Sequence, residues 1–240
     1  MKVKLTLVLL LLGITTWTSA QTELSKAEKD AIVDAVSQRM ALEKRSQKYF
    51  HLGFVKHKLE TEDGLFSMDS KFGAHLTSGK TYYLHATPIL GLIKIGLDWT
   101  YFDLNYTQFE SDPMLVEYEE GVWEEDKLTV YKAEAGMHIG PSITVFPVKN
   151  LKAKAFFRYA PAYSAMYDNQ NEEFGSGFGS YFVSGVSVNY GGIGVGIEQR
   201  WGSAKHKVSG LEWSEDGLAI ESVKEKFKLK GPRFFVSFAF

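Results

Sequence analysis

The sequence contains no cysteine, so neither disulfides nor thiolate chemistry is available to it. Beyond its first twenty residues no segment stays apolar for 18 residues, which excludes a membrane-spanning helix there. A basic surplus is lacking as well: 27 Lys+Arg stand against 29 Asp+Glu, a formal net charge of −2. Such mild acidity argues against nucleic acid as a partner. The six histidines are His51, His57, His75, His85, His138 and His206, and none has the i, i+4 spacing of a helical metal motif. Gly175, Gly177, Gly179 and the glycines from Gly191 to Gly196 stand in no phosphate-loop context that leads into a helix, and no GxSxG is present. No catalytic residue, metal site or cofactor is therefore expected, and no enzyme.

What is present begins with an export signature. Lys2 and Lys4 precede an apolar run from Leu5 to Ile14, and Thr18-Ser19-Ala20 offers the small residues at which a signal peptidase cuts. The run is too short to span a bilayer as a helix. Residues 1–20 are read as a cleaved signal peptide, and no cysteine at the junction could carry a lipid anchor. Loss of Lys2 and Lys4 leaves 25 basic against 29 acidic residues, a net charge of −4. A secreted chain without disulfides needs a sizeable core or a membrane to hold it.

Residues 21–48 are read as an N-terminal helical segment. Ser25 and Glu28 have capping-box spacing, and Ile32, Val36 and Met40 recur every four residues with Val33 beside them. The narrow stripe suits a solvated helix at the barrel rim, with a plug or docking helix as the alternative.

After Tyr49 the period becomes two. From Tyr131 to Pro147 the odd positions, among them Met137, Ile139, Ile143 and Val145, are apolar, while Lys132, Glu134, His138 and Thr144 lie opposite. This stretch is longer than the strands of soluble sheets. Residues 93–101, 151–159, 181–190 and 193–201 repeat the alternation. Charges at the middle of long strands, opposite an unbroken apolar face, fit a wall that is polar inside and lipid-facing outside. Only a closed barrel spans a membrane with strands, because it leaves no unpaired edge in lipid. The fold class is therefore all-β: an antiparallel transmembrane barrel of about eight strands over residues 49–240, with a short periplasmic helix before it.

The strands are placed near 49–60, 71–86, 92–109, 129–147, 151–167, 180–190, 192–202 and 227–240. Thr77-Ser78-Gly79-Lys80 could be a turn that changes this count. Tight turns are expected at Val148-Lys149-Asn150 and Gly191-Gly192. Long polar loops are expected at Glu110–Lys127, Asp168–Gly179 and Gly202–Lys226. Parity slips after Tyr101 and again across Gly231-Pro232, and each slip reads as a β-bulge.

The chain ends with Phe234, Val236, Phe238 and Phe240 on one face of the last strand. This terminus resembles the signal by which outer-membrane barrels are recognised by their assembly machinery. The whole of residues 49–240 resembles small Gram-negative outer-membrane barrels of the OmpA/OmpX size class. The resemblance implies a cell outer-membrane location and an insertion route, with outer-membrane lipid and the assembly machinery as partners. It implies no activity, and any extracellular ligand stays open.

The interior candidates are Lys94, Asp98, Lys132, Glu134, His138 and Lys152, together with Lys154, Arg158, Glu198, Arg200 and Arg233. An eight-stranded barrel is just wide enough for its side chains to fill, so these charges are expected to pair into a plug. Lys132 and Glu134 are expected to meet Lys152 and Arg158 across the hairpin at 148–150. The acidic loop Glu110–Lys127 could gather divalent cations but lacks EF-hand spacing, and a solvated loop accounts for it. Three functions remain open: a structural or surface-interaction barrel, a narrow solute channel, and a lipid-modifying enzyme. Of these the non-enzymatic surface barrel is preferred.

Overall fold

In the computed structural model the described residues are 28, 30–33, 44–62, 64, 67–111, 114–119, 122–148, 150–170, 173–214 and 217–240. The chain divides into two compact units, residues 1–41 and 42–240. In the first, the described residues are helical and exposed, Ile32 and Val33 included. The signal segment, the Ser25 cap position, Val36 and Met40 lie outside the described residues.

The second unit is built from strands β1 (Ser46–Val55), β2 (Lys58–Thr61), β3 (Ser67–Tyr83), β4 (Ile93–Glu110), β5 (Met114–Glu119) and β6 (Val122–Asp126). They are followed by β7 (Thr129–Val148), β8 (Leu151–Asp168), β9 (Glu173–Tyr190), β10 (Ile193–Ser214) and β11 (Gly217–Ala239). β2 continues β1 past Lys56 and His57, pairing with β11 and β3 as β1 does. Counting β1 and β2 as one stave, eight antiparallel staves run β1-β11-β10-β9-β8-β7-β4-β3, and β3 pairs back onto β1. The ring is closed. Every wall strand therefore has a hydrogen-bonded neighbour on both sides, and the edge that an open sheet would expose is abolished.

One end of the barrel carries tight turns and the C-terminus. Asn150 (φ 64°) and Gly191 (φ 63°) make two of those turns, adopting the left-handed conformation that Asn and Gly tolerate. The other end carries the remaining connections, including the separate hairpin β5–β6. These are called the turn end and the loop end below.

Alternation along the staves decides which side chain goes where. In β7, Ile139 and Ile143 are 46% and 50% exposed on the outer surface, while His138 and Thr144, one residue from each, are buried inside. A one-residue slip would exchange the two sets, so the pattern fixes the register.

Several expectations are corrected. β1 starts at Ser46, three residues before Tyr49, so 46–48 belong to the barrel. Thr77–Lys80 lies inside β3, so the count of eight staves holds. Asp168–Gly179 and Gly202–Lys226 are mostly strand: β9 begins at Glu173, and the β10–β11 ladder continues to Ser214 opposite Gly217. Glu110–Lys127 contains β5 and β6. The slip after Tyr101 is a bulge, with the register shifting between Thr100 and Asp103 against β7. At Gly231-Pro232 no shift occurs, and the pairing with β10 runs unbroken through both residues. Leu229 simply points inward, buried with Leu59 and Met68. A further bulge at Lys71, between Ser70 and Phe72, was not foreseen.

Candidate functional site in the barrel interior

The interior is polar and charged along most of its length. Near the turn end, Lys94 donates to the Lys44 carbonyl at 2.8 Å, and its ammonium lies 4.7 Å from the Tyr83 ring centroid. Lys152 sits half-buried at this mouth.

Next along the axis is a cluster centred on Asp98, from β4. Its Oδ1 accepts from Lys154 (2.7 Å), Thr81 (2.7 Å) and Ser142 (2.9 Å), while Oδ2 accepts from Arg158 Nη2 at 2.6 Å. Four staves thus meet on one carboxylate. The Arg158 guanidinium stacks on Phe156, 3.8 Å from its centroid, and lies 5.1 Å from that of Tyr49. Tyr49 in turn bonds Thr100 at 2.7 Å.

Further toward the loop end, Asp103 takes the central place. It accepts from Arg233 Nη1 (3.1 Å to Oδ2), Arg200 Nη1 (3.3 Å) and Thr77 (2.6 Å), and His138 Nε2 lies 3.1 Å away. Arg233 also pairs with Glu198. Arg200 Nη2 reaches Glu134 at 3.3 Å, and Glu134 is bonded to Lys132 at 2.7 Å. Tyr181 completes this layer, 4.1 Å from the Arg200 guanidinium and bonded to Lys132 at 3.2 Å. Burying a charge is tolerable only when it is paired and hydrogen-bonded, and each of the four carboxylates here has at least one cationic partner.

At the loop end the interior changes character. Leu59, Met68, Phe109, Val130 and Leu229 are buried together, and Leu128, Met166 and Phe227 pack against them. Beside this apolar layer lies a cavity of about 310 Å³, lined in part by Met166, His206 and Phe227 and by the carboxylates of Asp168, Glu173 and Glu225. His206 lines it from the buried side, its Nε2 at 3.0 Å from Ser164 Oγ.

All eleven residues picked out from alternation lie on the inner surface, although not all meet the partners expected. Lys132 and Glu134 bond to each other instead of reaching Lys152 and Arg158 across the hairpin. Glu134 looks to Arg200, and Arg158 to Asp98. Residues outside that set are equally central. Asp103 turns inward only because the bulge at Tyr101-Phe102 reverses parity in β4, and the slip in the sequence is the signal that finds it. His51, His57 and His75 also face in, with His51 stacked on Phe235 at 4.2 Å. His85 stays outside, bonded to the Thr87 carbonyl. Phe234, Val236 and Phe238 are on the outer surface of β11, between β1 and β10, and Phe240 follows them, exposed.

A soluble protein buries its apolar face and wets its polar one. Here the closed ring does the reverse: ion pairs fill the inside, and a band of Ile, Val, Leu and aromatic residues covers the outside. Only a hydrocarbon surround makes that arrangement favourable. The architecture is that of an outer-membrane β-barrel.

No protein-family model matches the chain, and no curated protein does. Among solved structures it is similar to the outer membrane protease OmpT from Escherichia coli, at 9% identity over 82% of this chain and 97% of that one, TM-score 0.46. Neisserial surface protein A is similar at 13% identity over 80% and 96%, TM-score 0.40. Ail, the attachment invasion locus protein of Yersinia pestis, is similar at 8% over 82% and 100%, TM-score 0.41. Likenesses this distant transfer no activity, and the outer-membrane barrel is established by the closed ring and its apolar belt.

Proposed function

We propose that this protein is a non-conducting, non-enzymatic barrel of the outer membrane that presents its loop-end hairpins to the cell exterior. The observation that carries this reading is the burial of Arg158, Arg200 and Arg233, each 0% exposed and each paired with a carboxylate from another stave. Three buried guanidiniums, each tied to a carboxylate on another stave, support a filled interior without an open aqueous path. The interior charges then act as a structural plug, fixing the staves to one another. Export through residues 1–20 and recognition of the terminal strand through Phe234, Val236, Phe238 and Phe240 belong to the same proposal, with outer-membrane lipid as the surrounding partner.

Planar-bilayer recording tests this. Purified barrel reconstituted at single-insertion density is expected to show no steady conductance in molar salt. A stable, resolvable open level would overturn the plug reading and favour a solute channel.

A further inference from the structure

The outer surface of β1, β2, β10 and β11 changes chemistry abruptly along the barrel axis. Toward the turn end it is apolar: Phe54, Val186, Ile197 and Phe234 line a shallow depression of about 510 Å³. One step closer to the loop end, a second depression of about 490 Å³ is lined by Lys56, Lys58, Lys230 and Gln199 and, from β3, by Asp69. Beyond that, more lysines continue along the outer face. Lys205 is directly opposite Lys226, Ser203 opposite Lys228, and Trp201 opposite Lys230. Lys58 is opposite Lys230 on the other side.

Like charges facing each other across a ladder are destabilising, as Lys205 faces Lys226 and Lys58 faces Lys230. Carboxylates answer part of the charge. Glu60 takes Lys230 at 3.0 Å and Lys58 at 3.5 Å, and Glu62 pairs with Lys226. Glu62 lies outside the membrane, and its hydrogen bond from Lys226 holds its carboxyl below the ordinary range. Among the described residues, seven lysines (56, 58, 205, 207, 226, 228 and 230) share this face with the carboxylates Glu60, Glu62 and Asp69, and no carboxylate pairs with Lys205 or Lys207.

The depth of this face is marked by aromatic rings. Trp201 lies beside Phe182 and Phe157, with ring centroids 6.2 and 6.1 Å away. Outer-surface aromatics gather at the membrane–water boundary, and Lys230 pairs directly with Trp201. The lysines therefore stand at and just above the headgroup level on the exterior side.

We propose that this face is a binding site for the phosphorylated glycolipid of the outer leaflet, lipopolysaccharide. The lysines of the polar depression take its phosphates, and an acyl chain lies in the apolar depression beneath. Ammonium groups bind phosphate as compact charges, and basic residues near a membrane surface draw anionic headgroups. The adjoining apolar depression is what favours a lipid over a soluble polyanion, which would have no use for it.

Native mass spectrometry of the full barrel in detergent tests the proposal, with diphosphorylated lipid A as the probe and its monophosphorylated form as comparison. Wild-type protein is expected to retain the diphosphorylated form preferentially. The triple variant Lys56→Gln, Lys58→Gln, Lys230→Gln is expected to bind it at least about tenfold more weakly and to lose that preference. The pair Arg45→Gln, Lys48→Gln at the turn end should leave binding unchanged, and heat-modifiable gel migration reports that each variant is folded. Should the triple variant not fold, Lys205→Gln with Lys207→Gln serves in its place, with weaker binding expected. Unchanged binding in the folded lysine variants overturns the proposal. So does displacement of lipid A by a soluble polysulfated oligosaccharide of equal affinity, which would make the face a receptor for an extracellular polyanion.

Discussion

Arg158 places both Nη2 (2.6 Å) and Nε (3.0 Å) on a single oxygen of Asp98, while the other oxygen of that carboxylate serves Lys154, Thr81 and Ser142. The two residues come from β4 and β8, which β7 separates in the ring, so the contact bridges the inner face of one intervening stave. Removing the carboxylate strands two buried cations. Asp98→Ala should therefore destabilise the barrel by about 3–5 kcal/mol, the range for breaking a buried pair from one side. The temperature at which unboiled protein converts to its unfolded gel mobility should fall accordingly. The double variant Asp98→Leu, Arg158→Met should be less harmful than Asp98→Ala, because it leaves one fewer unpaired charge. Equal stability of Asp98→Ala and wild type would show that the plug does not hold the staves.

Placement relative to lipid gives a second expectation. Ile139→Arg puts a charge on the apolar band near mid-membrane and should cost about 2–4 kcal/mol. Val148→Arg, on the outer surface at the turn end, should cost about 0–1 kcal/mol, because a charge there reaches the interface. Urea titration of barrels refolded into thin-chain lipid vesicles measures both. Similar costs at the two sites would contradict the assigned depth.

The N-terminal segment can be trimmed to a defined point. Deleting residues 22–43 should leave a heat-modifiable barrel, since among the described residues no backbone hydrogen bond to another stave lies before Arg45. Extending the deletion through Lys48 removes the pairings of Ser46, Gln47 and Lys48 with β3 and the Lys48 hydrogen bonds with Phe240. The longer deletion should lower thermal resistance clearly below the shorter one. Failure of the shorter deletion to insert would make the N-terminal segment part of the fold.

These residues also show what could be read in the sequence and what could not. Where a stave crosses lipid, one face must be apolar, so Ile139, Ile143 and Val195 alternate with inward polar or small residues such as His138, Ser142, Thr144 and Gly194, and the staves are legible. Outside the lipid that demand lapses. At Ser176-Gly177 in β9 and Lys205-His206-Lys207 in β10 neither face is required to be apolar, yet the backbone ladder continues. Those segments look like loops because hydrogen bonding, unlike hydropathy, leaves no mark in side-chain pattern. The inward apolar layer at the loop end misleads in the opposite way. Leu229 is apolar because its interior neighbours Leu59 and Met68 are, and it imitates a change of register. Ion-pair partners were the least legible feature. Alternation says which charges share the lumen, but whether Glu134 meets Arg158 or Arg200 depends on stagger between staves far apart in sequence.

The most direct test of the inside-out arrangement is single-cysteine labelling in membranes, which the cysteine-free background allows. Cysteines at 138, 139, 144 and 145 in β7 would be exposed to a membrane-soluble maleimide. Positions 139 and 145, on the outer surface, should label readily, while 138 and 144, beside Asp103 and the turn-end lumen, should stay largely unlabelled until the barrel is boiled. Equal labelling of the four, or preferential labelling of 138 and 144, would mean that the apolar face is a buried core and that no lipid surrounds this protein.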